Sequence, residues 1–234
     1  MKRILPNLIY GELEHQPFDL EARANGRDWP VAYGAHTMIG LKRLDNLQHC
    51  IEDVLAKSVP GDFIETGVWR GGAVIFMRAV LKAYNIQDRT VWAADSFRGL
   101  PEPKADAYPA DEGDRLFTYS ELAVSLGEVQ ANFARYGLLD DQVRFLEGWF
   151  SDTLPRAPID RLAIARLDGD MYESTIDGLT HLYPKLSKGG YLIVDDFGWG
   201  EACRQAVHDY RTAHGISERL VDIDWTGVYW RKDS

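Results

Sequence analysis

The sequence is poor in cysteine. It holds two cysteines, Cys50 and Cys203, among 234 residues. Two cysteines are too few for a secreted disulfide framework, and their spacing is not that of a metal site. The sequence therefore predicts two reduced helix residues in a cytoplasmic protein.

Long apolar runs are also missing. Runs such as Tyr191 to Val194 are far shorter than the roughly 20 residues that a membrane span needs. Behind Lys2 and Arg3, polar residues such as Asn7 and Glu12 interrupt any apolar stretch of the kind found in signal peptides. We expect neither a membrane span nor a signal peptide.

Basic residues are outnumbered by acidic ones. The chain has 26 lysines and arginines against 36 aspartates and glutamates, which gives a formal net charge of −10. This charge repels nucleic acids and anionic membranes, and no dense basic run offsets it. We therefore expect neither nucleic acid nor membrane as a partner.

What the sequence does have is an alternation of short apolar runs with helical stretches. Residues 1–36 show no clear period and predict a partly irregular arm that packs on the domain and can cover an active site. An amphipathic helix over 37–57 opens the predicted domain, 37–234. The strand-then-helix units that follow predict an α/β fold with a mainly parallel, doubly wound sheet. The last apolar runs, 219–223 and 228–231, lack an intervening helix and predict an antiparallel pair at the sheet edge.

The other predicted elements follow from the same periodicities. Strands are predicted at 62–66, 90–94, 142–147, 162–167 and 191–194, and helices at 72–84, 121–136, 174–186 and 201–214. A short segment around 151–154 follows the third strand. The loop over 96–120 is unusually long for a compact domain, which is typical of a solvated surface or an active-site cover. Ligands in such sheets bind beyond the carboxyl ends of the strands, so the residues there are the candidates for chemistry.

A glycine-containing turn, Glu65-Thr66-Gly67-Val68-Trp69-Arg70-Gly71-Gly72, follows the first predicted strand. Glycine lets the backbone approach a ligand closely, although a purely structural turn explains the glycines equally well. Trp69 stands where the dinucleotide fingerprint has its second glycine, and Glu65 suits a cationic amino-acid group better than a pyrophosphate. Asp95, after the next strand, can accept hydrogen bonds from ribose hydroxyls. The two motifs predict a nucleoside ligand without choosing the cofactor.

Four aspartates follow two later strands, in the motifs Asp168-Gly169-Asp170 and Asp195-Asp196. Carboxylates at adjacent strand ends repel one another, and a divalent cation resolves that repulsion. Ligation by oxygen alone suits magnesium, calcium or manganese rather than zinc. Helix capping explains one of the four aspartates, but less easily two close pairs. The pattern therefore favours a metal site.

Taken in order, four stretches of the sequence resemble the macrocin O-methyltransferase (TylF-type) family. They are Phe63 to Gly72, Asp95 to Pro101, Leu167 to Ser174 and Val194 to Phe197, and the likeness runs from about residue 37 to the end. The resemblance implies a Rossmann-like class I methyltransferase fold with a seven-stranded sheet. It also implies a homo-oligomeric, S-adenosylmethionine- and magnesium-dependent enzyme that methylates a (deoxy)sugar on a natural product such as a macrolide or aminocoumarin antibiotic.

The resemblance implies a role for each candidate residue. Asp168, Asp195 and Asp196 would hold magnesium, and Asp170 would be the general base. The methyl donor would be bound by residues at the first three strand ends: Glu65, Thr66, Gly67, Asp95, Ser96, Gly148, Trp149 and Phe150.

Three other interpretations remain open. A catechol-like diol would chelate the same metal as a sugar diol does. A nicotinamide-dependent oxidoreductase would use the same ribose contact, but the phosphate-binding glycine is missing. A non-catalytic nucleoside-binding module would have no use for a base such as Asp170.

Overall fold

The computed structural model describes residues 1–10, 19–28 and 34–233, and its centre is a seven-stranded sheet. The strands are β1 (Asp62–Thr66), β2 (Val91–Asp95), β3 (Val143–Glu147), β4 (Leu162–Leu167), β5 (Leu186–Val194), β6 (Val221–Asp222) and β7 (Val228–Arg231). Their order in the sheet is β3-β2-β1-β4-β5-β7-β6. The first five strands are parallel, and β7 is antiparallel to both β5 and β6. The mainly parallel sheet and the antiparallel edge pair are both confirmed.

Helices cover both faces of the sheet. The α-helices of the described residues are α1 (Leu20–Ala24), α2 (Leu41–Ala56), α3 (Gly72–Ala83), α4 (Leu126–Arg135), α5 (Phe150–Thr153), α6 (Tyr172–Leu182) and α7 (Glu201–Ala213). Residues of α2, α3 and α4 pack with Phe63 on one face, and residues of α6 and α7 pack with Ile64 on the other. Neighbouring residues of β1 thus enter different cores, as a strand buried on both faces requires. Cys50 in α2 and Cys203 in α7 are free helix residues, as predicted, and both are buried.

The observed helix boundaries differ from the predicted ones where local chemistry ends a helix. The helix predicted from residue 37 begins at Leu41, because the backbone of Gly40 is extended. The helix predicted from residue 121 begins at Leu126, where the Ser125 side chain caps the first turn. The helix predicted to reach residue 186 ends at Leu182, because Pro184 lies in a following 3-10 turn.

The described part of the N-terminal segment packs on the domain. Leu5 is fully buried. Arg23 is also fully buried and donates a hydrogen bond to the carbonyl of Ile39 at 3.1 Å. Residues 11–18 and 29–33 of the predicted arm lie outside the described residues.

No helix within the described ranges combines the length and the apolar character that a membrane crossing requires.

The long loop predicted over 96–120 is fastened to the rest of the molecule. Asp111 is 1% exposed, and its carboxylate accepts the backbone N–H groups of Tyr172 at 2.6 Å and Glu173 at 2.9 Å. It therefore caps the N-terminus of α6 from a distant part of the chain. On the other side, the indole of Trp69 donates to a carbonyl just beyond the loop at 2.9 Å. The loop is therefore held against α6 and against the turn after β1.

Candidate active site

A cavity of about 540 Å³ opens at the carboxyl ends of the parallel strands. Its walls come from the turns after β1 to β5, from the long loop and from residues 26–28. Every predicted site residue lines it except Thr66, which is 1% exposed and buried in β1. The backbone carbonyl of Thr66 accepts the N–H of Asp168 at 2.9 Å, so this residue joins β1 to the turn after β4.

Gly67 allows the turns after β1 and β4 to touch. Its φ is +79°, and a Cβ there would lie 1.7 Å from the backbone oxygen of Asp168. No other residue fits this position without displacing the backbone. The close approach places the end of β1, with Glu65, beside the aspartates after β4.

Strained backbone marks three of the turns around the cavity. Trp69, Phe97 and Asp170 have φ values of 47°, 55° and 57° and follow β1, β2 and β4. Left-handed backbone is uncommon outside glycine, and a bulky residue in it is an outlier. Each such residue costs on the order of 1 kcal/mol or more, and it persists only where the surroundings hold it.

Asp95 braces two of these turns. Its Oδ2 accepts the backbone N–H of Val68 at 2.7 Å, and its Oδ1 accepts that of Phe97 at 2.7 Å. Burial raises the pKa of Asp95, and hydrogen bonds from Phe97, Val68, Trp69 and Ser96 oppose the rise. Asp95 also lines the cavity, so its carboxylate lies within reach of a ligand hydroxyl.

Glu65 presents an unsatisfied oxygen. Its Oε1 pairs with Arg166, whereas its Oε2 is buried and accepts no hydrogen bond from the described residues. Burial, only partly offset by Arg166, raises the pKa of Glu65 to about 8. A buried acceptor left without a donor costs about 1–3 kcal/mol. A ligand ammonium group beside Glu65 would satisfy this oxygen.

Asp168, Asp195 and Asp196 converge beyond β4 and β5. One carboxylate oxygen from each lies within 4.8 Å of the other two. Asp170 joins this carboxylate cluster through its backbone N–H, which donates to Asp196 Oδ2 at 3.0 Å. Burial first, and then repulsion by neighbouring aspartates, raises the pKa of Asp168 to about 6, that of Asp170 to about 8, and that of Asp196 as well. The structure thus brings together the four aspartates that the sequence singled out.

The chemistry of the carboxylate cluster fits a hard divalent cation. Its candidate ligands are all oxygens, as magnesium prefers. The Oδ2 atom of Asp168 accepts a hydrogen bond from Arg166, and that of Asp196 accepts one from the backbone of Asp170. The Oδ1 atoms of Asp168 and Asp196 accept no hydrogen bond from a described residue. A cation beside these groups would lower the pKa values that burial and repulsion have raised.

Arg166 is the site residue that the sequence interpretation missed. It is 2% exposed in β4, donates to Asp168 Oδ2 at 2.8 Å, and pairs closely with Glu65 and Asp195. Arg43 of α2 pairs with the other oxygen of Asp195. The sequence signal for Arg166 is that it is the single charged residue in the otherwise apolar strand β4. A buried charge requires a partner of opposite charge, so this residue indicates acidic side chains nearby.

Removing the Arg166 charge should destabilise the fold. Arg166→Met leaves Glu65 and Asp195 buried without this cation, so we expect the free energy of unfolding to fall by about 3 kcal/mol or more. Arg231→Met is the matched control, because the side chains of Arg231 and its partner Asp233 are 39% and 67% exposed. Such an exposed pair contributes about 1 kcal/mol or less. Urea unfolding measures both variants, and equal losses would contradict the special role of Arg166.

Sequence comparison identifies the relatives of this chain. The Macrocin-O-methyltransferase (TylF) family model matches residues 6–232. The 8-demethyl-8-(2,3-dimethoxy-alpha-L-rhamnosyl)-tetracenomycin-C 4'-O-methyltransferase of Streptomyces olivaceus is 59% identical over 238 residues, covering 99% of this chain and 90% of that protein. The Mycinamicin III 3''-O-methyltransferase of Micromonospora griseorubida is 55% identical over 244 residues, covering 100% of this chain and 95% of that protein.

Comparison with solved structures agrees. The O-methyltransferase NovP matches with a TM-score of 0.95 and 52% identity, covering 99% of this chain and 96% of that chain. The fold is therefore that of the class I methyltransferases, as the sequence predicted, and this fold implies S-adenosylmethionine as the methyl donor. The chain belongs to the macrocin O-methyltransferase family and is an O-methyltransferase.

Proposed function

We propose that this enzyme transfers a methyl group from S-adenosylmethionine to a hydroxyl of a (deoxy)sugar on a natural product such as a macrolide or aminocoumarin antibiotic. A divalent cation, with magnesium preferred, would assist in the carboxylate cluster. The observation that carries the proposal is the convergence of Asp168, Asp195 and Asp196 on a cavity that also contains Glu65 and Asp95. The names of the two relatives support it, since they give a rhamnosyl tetracenomycin and mycinamicin III as acceptors.

The donor suits the part of the cavity formed by the turns after β1, β2 and β3. The free Oε2 of Glu65 would accept its ammonium group, which removes an unsatisfied buried oxygen. Asp95, with Ser96 beside it, would accept the ribose hydroxyls. The segment 148–150 lines the same cavity and would lie near the adenine. These contacts hold the donor by its polar ends and leave the methyl group free to react.

Methyl transfer is an in-line displacement. An oxygen–carbon bond forms while the carbon–sulfur bond breaks, and the acceptor hydroxyl loses a proton. Asp170 would take that proton, because it lines the cavity and its backbone is tied to Asp196. Asp168, Asp195 and Asp196 would hold the cation, which when bound lowers the pKa of a neighbouring sugar hydroxyl. The turns around the cavity would align donor and acceptor, and alignment of this kind can supply a large share of the acceleration of a reaction between two molecules.

A catechol-like or other vicinal diol is the second candidate acceptor. The carboxylate cluster favours it equally, because one cation can bind the two oxygens of either kind of diol. The relatives' glycosidic acceptors favour the sugar. The interpretations of the chain as an oxidoreductase and as a non-catalytic binding module are wrong, because the chain is a methyltransferase.

The donor site is tested by calorimetric titration. S-adenosylmethionine should bind with a micromolar Kd, or about −8 kcal/mol, and NAD should not bind. Asp95→Ala should weaken donor binding about tenfold or more, because hydrogen bonds to a charged group are lost. Asp141→Ala, at an exposed aspartate, is the control and should bind as the wild type does. An unchanged Kd in Asp95→Ala would remove Asp95 from the donor site.

The acceptor class is tested with donor labelled in its methyl group. The label should pass to rhamnosylated or other deoxysugar-bearing polyketides and macrolides. Transfer to a catechol alone would replace the sugar by the second candidate acceptor.

A further inference from the structure

Two exposed tryptophans form one corner of the cavity. Trp199 is 62% exposed and Trp225 is 38% exposed, and both line the cavity. Their ring centroids are 6.1 Å apart, and the ring planes meet at 85°. Large apolar side chains that stay exposed beside a cavity are typical of binding surfaces. The donor and the transfer chemistry described above use neither ring.

The backbone holds the tryptophan corner in place. Gly198 donates its N–H to the carbonyl of Thr226 at 2.8 Å, and a Cβ on Gly198 would lie 2.4 Å from the carbonyl oxygen of Trp225. Only glycine allows the two segments that carry the tryptophans to approach this closely. The indole of Trp225 also donates to the carbonyl of Asn25 at 3.2 Å. The corner is therefore a fixed surface made jointly by the N-terminal segment and the segments around β5 and β7.

The tryptophan corner is continuous with the carboxylate cluster. Trp199 follows Asp195 and Asp196 in the chain, and the backbone N–H of Trp199 donates to the backbone carbonyl of Asp196 at 3.1 Å. If the hydroxyls of an acceptor sugar face the carboxylates, the group attached to that sugar therefore reaches the indole rings. Carboxylates recognise hydroxyls, whereas indole rings offer a large apolar face and little polarity.

The volume of the cavity indicates which part of the acceptor contacts the two tryptophans. The cavity of about 540 Å³ lies within the range of pockets that enclose a single drug-sized ligand. A nucleoside donor and one sugar ring occupy most of such a space. Whatever the sugar is attached to must extend past the rim, where Trp199 stands.

We propose that Trp199 and Trp225 form a subsite for the apolar aglycone of a glycoside acceptor, so that the enzyme prefers sugars attached to a hydrophobic ring system. This inference rests on the proposed function, because it needs a sugar hydroxyl at the carboxylate cluster. Trp199, the more exposed ring, is the specificity-determining residue, and Trp225 supports it at nearly a right angle.

The test compares two glycosides of the same sugar that differ only in the aglycone. The probes are the methyl and the 4-nitrophenyl α-glycosides of L-rhamnose and of L-fucose, assayed by transfer of labelled methyl. The wild type should show a kcat/KM about tenfold higher for the nitrophenyl member of an accepted pair, the size of a buried aromatic contact. Trp199→Ala should reduce that ratio to about one while leaving kcat/KM for the methyl glycoside within about threefold. The Kd for S-adenosylmethionine should not change.

Two control variants separate recognition from a structural role. Trp199→Phe keeps an aromatic face and should retain most of the preference. Tyr84→Ala removes an aromatic ring that is 53% exposed and does not line the cavity, and it should behave as the wild type does.

The outcomes separate the inference from the proposed function. Equal kcat/KM for both members of an accepted pair in the wild type, or an equal loss for both in Trp199→Ala, overturns the aglycone subsite and leaves the sugar methyltransferase standing. Donor binding without methylation of any glycoside overturns the sugar as acceptor, and the aglycone subsite falls with it.

Discussion

Asp170→Asn should lower turnover by about a hundredfold or more while leaving donor binding intact, because the acceptor hydroxyl loses its proton acceptor. Asparagine tolerates the left-handed backbone that Asp170 adopts, at φ 57°, so the turn should survive the change. The measurement is kcat with saturating donor and magnesium, together with calorimetric titration of the donor.

Asp160→Asn is the control for Asp170→Asn. It makes the same chemical change at an exposed aspartate that does not line the cavity, and it should leave kcat unchanged. A near-normal rate in Asp170→Asn would assign proton removal to another group or to water. A loss of donor binding instead would show that the substitution disturbs the turn.

Chelation should abolish turnover, and added magnesium should restore it. The carboxylate cluster leaves several buried or half-buried carboxyl groups with raised pKa values, and a divalent cation is the partner that their oxygens fit. Because the cation would bind only the folded protein, magnesium should also raise the Tm. The measurements are turnover after dialysis against EDTA and thermal unfolding with and without magnesium.

A variant and a matched treatment sharpen the metal prediction. Asp196→Asn should reduce both the magnesium-dependent rise in Tm and the turnover, since it removes one charge from the carboxylate cluster. EDTA presaturated with magnesium should leave the wild type active, which excludes inhibition by the chelator itself. Full activity in excess EDTA would falsify the metal requirement.

Much of the site could be predicted from sequence because parallel strands share one functional edge. The bounds of β1 and β4 are as predicted, because Gly67 directly follows β1 and Asp168 directly follows β4. Once the sheet is parallel, residues after neighbouring strands must meet. Asp168 and Asp195 therefore come together although 27 positions separate them in the sequence.

The parts that escaped prediction depend on contacts without a local signal. Arg43 pairs with Asp195 from a helix 152 positions earlier, and no periodicity indicates which residue a buried arginine will face. Asp111 caps α6 from inside a loop that resembles a solvated surface, because its acidic neighbours conceal the one buried carboxylate. Trp225 joins the cavity only through the close approach at Gly198.

The strained turns around the cavity set stability against activity. Glycine in place of Asp170 would relieve on the order of 1 kcal/mol of backbone strain. The same replacement would remove the proposed proton acceptor from the cavity wall. Selection for heat tolerance and selection for turnover therefore act in opposite directions on this codon. Libraries screened for thermal stability alone should accumulate glycine at position 170 and lose activity.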